Sequence, residues 1–187
     1  MKNLLIAFSL ILLTSNLYAQ ETETKKEESS KMDSFLSKTG TMIKFIDYPI
    51  PDIRLSFNVA QAKIRKFISE ETIVYFYQIS KKAQYDTKIA SIAYEDLLEC
   101  IKALEQLKEE SVSDLALNPK YLENKFITDD GFQLGYYVEP AKNNVSKLTW
   151  YIKLERYSSS TYFIKDVSEI VANFNTAKLK IEKLKDK

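Results

Sequence analysis

Histidine is missing from this chain altogether, and cysteine and tryptophan occur once each. Without imidazole there is no Ser-His-Asp or Cys-His relay, and no zinc or iron site that relies on histidine. Carboxylate, lysine or tyrosine chemistry survives that exclusion, as does a hard cation held by oxygen. The lone Cys100 excludes an intramolecular disulfide. It shares a helical face with Leu97, Ile101 and Leu104, so it is expected to be a buried small hydrophobe. A surplus of one charge is lacking too: the formal net charge is +1, and Lys2 accounts for it. A neutral surface of mixed sign offers no long-range attraction to DNA, RNA or anionic lipid. Beyond the N-terminus no run of about eighteen apolar residues occurs, so no membrane-spanning helix and no stable membrane insertion are expected.

What is present begins with an address. Lys2 gives a positive start, Leu4 to Leu13 form an apolar stretch broken only by Ser9, and Thr14 to Ala19 end in a small residue before Gln20. That layout predicts a secretory signal peptide over residues 1–19, cleaved after Ala19. With Lys2 removed, the mature chain is formally neutral. Gln20 stands where a lipoprotein would need cysteine, so lipid anchoring is not expected. The predicted location is periplasmic or secreted.

Residues 20–38 are polar and repetitive, with Glu21-Thr22-Glu23-Thr24-Lys25-Lys26-Glu27-Glu28 at their centre. Such a stretch buries too little apolar surface to offset chain entropy and reads as a disordered tether, on which Met32, Phe35 and Leu36 dock loosely. A single domain over 39–187 follows, in two halves, 39–111 and 119–187. Alternating residues predict strands at Met42–Tyr48, from Ile53 through Val59 toward Lys66, at Thr72–Ile79 and at Thr87–Ala93. A helix is expected at 95–110 on the stripe Leu97, Leu98, Ile101, Leu104 and Leu107. Ser111 to Pro119 reads as a connection, with Leu115 and Leu117 pinned to the core. The plan then recurs. Strands are expected at Tyr121–Thr128, from Phe132 to Glu139, at Lys147–Tyr157 and at Thr161–Ile164, with Asp129-Asp130-Gly131 as a hairpin turn. A closing helix over 166–185 has lysines toward its C-terminal end.

Asp96 matches Asp166, Glu99 matches Glu169, Ile101 matches Val171 and Lys108 matches Lys178 at one constant offset. The expected architecture is therefore α+β: two β-β-β-β-α units arising by duplication, each antiparallel sheet covered on one face by its own helix. That element order resembles Whirly and PUR-type proteins, which bind single-stranded nucleic acid. The resemblance is one of topology over most of the mature chain. It rests on no motif residue, so it implies neither a function nor site residues here.

Three kinds of chemistry compete. Asp129-Asp130 lacks the further oxygen ligands of a calcium loop, and Asp-Asp-Gly is ordinary turn chemistry. Glu139, Glu155 and Glu169 would make a glycosidase-like carboxylate pair only if two converged in a cleft. Tyrosines carry the strongest signal. Tyr75 and Tyr77 share one strand face, while Tyr137, Tyr151 and Lys153 lie opposite the apolar faces of their strands. If helices cover one sheet face only, these five residues form an open face suited to a protein, peptide or glycan. The competing reading makes them cross-strand pairs, or packing between the two halves. The leading expectation is a non-catalytic exported binding or assembly module with no cofactor, no metal and no nucleic-acid partner. The alternatives are a histidine-free carboxylate-dependent hydrolase or lyase, and a carrier of an apolar ligand.

Overall fold

A computed structural model describes residues 30–37, 40–83, 85–141 and 145–186. The expected signal peptide and residues 20–29 of the expected tether lie outside the described residues. Residues 31–36, also assigned to that tether, are instead a helix, α1 (Lys31–Leu36), capped by Ser30, whose Oγ accepts from the Asp33 N–H at 2.9 Å. Buried Phe35 is what turns this end of the tether into structure.

The first sheet contains β1 (Ile43–Pro49), β2 (Ile53–Arg54), β3 (Val59–Ser69), β4 (Thr72–Lys82) and β5 (Thr87–Ala93). It is antiparallel, ordered β1-β3-β4-β5, with β2 also paired to β3. The strand expected from Ile53 toward Lys66 is two strands. The chain reverses at Ser56–Asn58, where the Leu55 N–H donates to the Asn58 carbonyl at 2.8 Å. No glycine or proline marks this turn, and the alternation survives it: Ile53 pairs with Ala60, and Ile53, Leu55, Ala60, Ala62 and Ile64 are all buried. β1 and β2 line the same edge of β3, separated by residues 50–52; Pro49 at the end of β1 and Pro51 in the gap suit an edge because proline has no N–H to pair.

Helix α2 (Tyr94–Ala116) follows β5 directly. It outruns the expected 95–110 because Ser111 and Ser113 turn their hydroxyls back to the carbonyls of Lys108 and Glu110, which lets the backbone continue. Asn118, at φ 49, ends the run. Leu115 and Leu117, expected in the core, are exposed; Leu117 is 68% accessible. The helical extension swings them away from the sheet.

The second sheet is an antiparallel meander of β6 (Leu122–Ile127), β7 (Gln133–Pro140), β8 (Ser146–Lys153) and β9 (Tyr162–Ile164). Gly131, at φ +87, serves the β6–β7 turn, and its N–H donates to the Thr128 carbonyl at 2.9 Å. Helix α3 (Val167–Lys185) closes the described chain, with the Asp166 side chain accepting from the Ser168 N–H at 2.9 Å. The fold is thus α+β with two antiparallel sheets and, among the described residues, three helices. None of those helices is long and apolar enough to cross a membrane.

One core joins the two sheets and the two long helices: Tyr77, Ile79 and Ile92 of the first sheet cluster with Leu97 and Leu104 of α2, Leu134, Tyr136 and Trp150 of the second sheet, and Phe174 and Ile181 of α3. The expectation that each sheet carries its own helix is corrected here. α2 packs chiefly on β6, β7 and β8, whereas α3 packs on β2 and β3. α2 keeps contact with β4 and β5 of its own sheet while lying mainly on the other one, and α3 crosses to the first sheet, because both apolar stripes meet in the shared core. Phe174 marks the junction, its ring 5.7 Å from that of Tyr77 and 6.2 Å from that of Phe132. Cys100 lies in the same core, where burial pushes its thiol up to about 12.

Candidate functional site

The register of the second sheet sorts its side chains into two faces. Leu134, Tyr136, Val138, Trp150 and Ile152 point into the core. The opposite, outer face follows from pairing: Glu123 opposes Tyr137, which opposes Thr149, and Lys125 opposes Gly135, which opposes Tyr151, which opposes Phe163. Lys153 opposes Gln133 in the next row. Period-two alternation thus brings Tyr137, Tyr151 and Lys153 onto one face, opposite the core.

Within that face the residues differ. Tyr151 is only 2% accessible. Its hydroxyl crosses β7 and donates a short hydrogen bond to Glu123 on β6. Gly135 makes the crossing possible: a Cβ there would lie 2.6 Å from Lys125 Cβ and 2.8 Å from its Cα. β6 and β7 approach too closely at that point for any side chain. Tyr151 therefore forms the floor of the face. Glu123 also accepts from Tyr121 Oη at 3.2 Å and Lys125 Nζ at 3.3 Å. The Tyr151 hydroxyl, ahead of Lys125, holds the Glu123 carboxyl below its usual range. Burial and the same hydrogen bond push the Tyr151 phenol far up, so it stays a neutral donor.

Tyr137 stands above this floor. Its ring centroid lies 6.4 Å from that of Tyr121, 6.3 Å from Tyr151 and 6.3 Å from Phe163. Tyr121 is 63% accessible, so one flank of the cluster is open to solvent. Thr149, beside Tyr137 in register, has a buried hydroxyl with no hydrogen-bond partner among the described residues. Tyr121, Phe163 and Glu123 were not among the expected site residues. Tyr121 precedes its strand and Phe163 sits in a three-residue strand, so neither has enough alternation around it to show its face.

The other expected pair belongs elsewhere. Tyr75 and Tyr77 lie on the inner face of the first sheet and are buried, so the open face expected to carry them does not exist. The Tyr77 hydroxyl donates to Asn173 Oδ1 at 2.5 Å, and Asn173 Nδ2 donates to the Pro51 carbonyl at 2.6 Å. The Tyr75 hydroxyl donates to the Leu184 carbonyl at 3.0 Å. Both tyrosines anchor α3 across the first sheet, a role set by the exchange of helices between the halves.

The carboxylates considered for hydrolysis do not converge. Glu139 opposes Lys147 at one end of β7, whereas Glu155 follows the other end of β8 and pairs with Lys88 at 3.1 Å. At about 3.3 Å per residue, those strand ends are separated by roughly 20 Å. Glu169 lies 3.8 Å from Arg54 on yet another edge. Asp129 and Asp130 shape the β6–β7 turn, where Arg156 donates to the Asp129 carbonyl at 2.7 Å. Among the described residues, no three cysteine, aspartate or glutamate side chains come together as a metal site. Comparison of the chain with protein-family models, with curated proteins and with solved structures finds no match.

Proposed function

We propose that this protein is an exported, soluble, non-catalytic binding module, and that it engages a protein or peptide through the outer face of the second sheet. The carrying observation is the Tyr121–Tyr137–Phe163 cluster: connected rings on the sheet face opposite the core, with a solvent-open flank. Tyrosine offers large contact area with little side-chain entropy to lose, and Lys125, Lys147 and Lys153 on the same face supply a charged surround. The Tyr137 and Phe163 rings meet at 73°. That notched surface fits protruding side chains better than the flat ring of a sugar, which favours protein over glycan.

Export is supported by Lys2, the apolar stretch from Leu4 to Leu13 and the small residue Ala19. The formally neutral mature chain supports a partner other than nucleic acid. A common origin of the two halves is supported by their shared plan, a four-strand antiparallel path followed by a helix. The Asp96–Asp166 match does not add to it, since Asp166 caps its helix and Asp96 lies inside its own. The resemblance to Whirly and PUR-type proteins rests on that plan alone.

The test replaces Tyr121 and Tyr137 together by Ser and places a photo-crosslinking residue at Lys147. The unsubstituted surface should yield a discrete crosslinked partner from the non-cytoplasmic fraction. The double variant should lose it while its melting temperature stays within a few degrees. Equal crosslinking by both proteins would refute the assignment. Recovery of intact Met1 on cytoplasmic protein would refute export.

A further inference from the structure

α1 has six residues, too few to hold a helix in water, so docking is what orders it. The groove that receives it has two chemically different ends. The apolar end is the outer face of the first sheet, where Phe35 packs with Phe67, Phe76 and Ala93 and its ring meets that of Phe67 edge-on at 5.8 Å. The acidic end combines Asp96 from the start of α2 with Asp129 and Asp130 from the β6–β7 turn. Lys31 Nζ lies 2.5 Å from Asp96 Oδ1 and 3.6 Å from Asp129 Oδ2, and the Lys31 N–H donates to Asp130 Oδ1 at 2.7 Å.

α1 leaves this groove underused. Asp96 Oδ2 and Asp130 Oδ2 are buried with no hydrogen-bond partner among the described residues. Burial, with the charges of Asp96 and Asp129 behind it, keeps the Asp130 carboxyl above its usual range even with Lys31 present. Lys31 thus leaves one oxygen each of Asp96 and Asp130 unbonded, and the neighbouring Arg156 guanidinium is turned to the Thr128 and Asp129 carbonyls instead. The groove also continues past the helix on both sides. About 210 Å³ lies by Phe35, bounded by Ile73, Tyr94 and Lys185, and about 230 Å³ lies by Met32, bounded by Ile89, Phe132 and Leu154.

We propose that α1 is the displaceable resident of a docking groove for a partner peptide, a helical segment that presents arginine and an aromatic residue one turn apart. The aromatic residue takes the place of Phe35 against Phe67 and Phe76. The guanidinium takes the place of Lys31, and its planar fork offers more donors to the Asp96 and Asp130 carboxylates than a compact ammonium does. A partner longer than α1 also fills the flanking space. This surface belongs mainly to the first sheet and does not depend on the Tyr137 face.

The experiment uses the full chain and a fluorescein-labelled synthetic peptide copying residues 30–42 with K31R, read by fluorescence anisotropy. Because a resident helix lowers apparent affinity by the fraction of grooves left open, K31A/F35A should bind the peptide at least about tenfold more tightly than the unsubstituted chain. Adding D96N/D130N to that variant should abolish the gain. Equal binding by K31A/F35A and the unsubstituted chain overturns the proposal, as does a gain that survives D96N/D130N. Should F35A disturb folding by circular dichroism, K31A alone, on a part-exposed side chain, should still tighten binding about threefold; no gain overturns it. Concentration-dependent dimers of the unsubstituted chain that the peptide fails to dissociate would assign the groove to a second copy's α1 and also overturn it.

Discussion

Tyr151 and Glu123 are two strands apart, yet the phenol of one donates directly to the carboxylate of the other. The bond crosses β7 over the position where Gly135 leaves no side chain, so three strands are tied by one contact on the outer face. Tyr151→Phe should cost about 1.5–3 kcal/mol, the usual worth of a hydrogen bond to a charged group. Tyr151→Ser also empties the floor of the face and should cost about 3–5 kcal/mol. Urea denaturation measures both. In Tyr151→Phe the Glu123 carboxyl should move back up toward its usual range, which NMR titration of its side-chain carbon would follow.

Gly135→Ala should destabilise by about 1–3 kcal/mol, because the atoms that a new Cβ would meet include the Lys125 Cα and backbone cannot swing aside. Gly40→Ala meets no atom within 4 Å. Its penalty would come only from the positive φ of 79, so it should be milder. Comparing the two denaturation midpoints separates close approach from backbone conformation.

Trp150 is 9% accessible, with its ring 4.9 Å from that of Tyr136. Native fluorescence should be blue-shifted and should move to the red on unfolding. Trp150→Ala should cost about 3–5 kcal/mol.

The Asp47 carboxyl is lowered from 3.8 to about 2, chiefly by the Arg65 hydrogen bond and further by Lys63. A carboxyl lowered by folding stabilises above its unfolded value and loses that contribution as pH falls through its folded value. The midpoint difference between the unsubstituted chain and Asp47→Asn should therefore be present at pH 6 and vanish between 3.8 and about 2. The side chain is 39% accessible, so added salt should shrink the difference.

Cys100 should resist an aromatic disulfide reagent at pH 8 in the native protein and react at once in denaturant. Its thiol is buried and held up to about 12, leaving almost no thiolate to attack. Rapid native reaction would show that the core opens at α2.

Elements with long, clean alternation were legible in the sequence. β4 and β7 lie where their patterns predicted, as do the Asp129-Asp130-Gly131 turn and α3. β8 stops at Lys153, four residues short of the expected Tyr157, because the chain turns over residues 154–157. Pattern also put Tyr137, Tyr151 and Lys153 on a face opposite Trp150, since a period of two needs no tertiary information. It could not show that Tyr151 is roofed by its neighbours, because burial on an outer face depends on rings from other strands. The reversal at Ser56–Asn58 was hidden for a related reason: a hairpin that preserves alternation looks like one long strand. α1 was hidden because its order comes from Phe67, Phe76 and Asp96, all distant in sequence. The exchange of helices was equally invisible, since an apolar stripe says that a helix is buried and not which sheet buries it.

That exchange sets a sequence of events in time. α3, the last described element, covers β2 and β3, among the first to leave the ribosome. Until Phe174 and Asn173 have been synthesised, Tyr77 has neither its ring partner nor its hydrogen-bond acceptor. The N-terminal half alone should therefore lack the contacts that complete its native form. The two halves should fold together, once α3 is available to the first sheet. Cutting the loop between α2 and β6 should yield two fragments that are unfolded apart and that recover native fluorescence only when mixed.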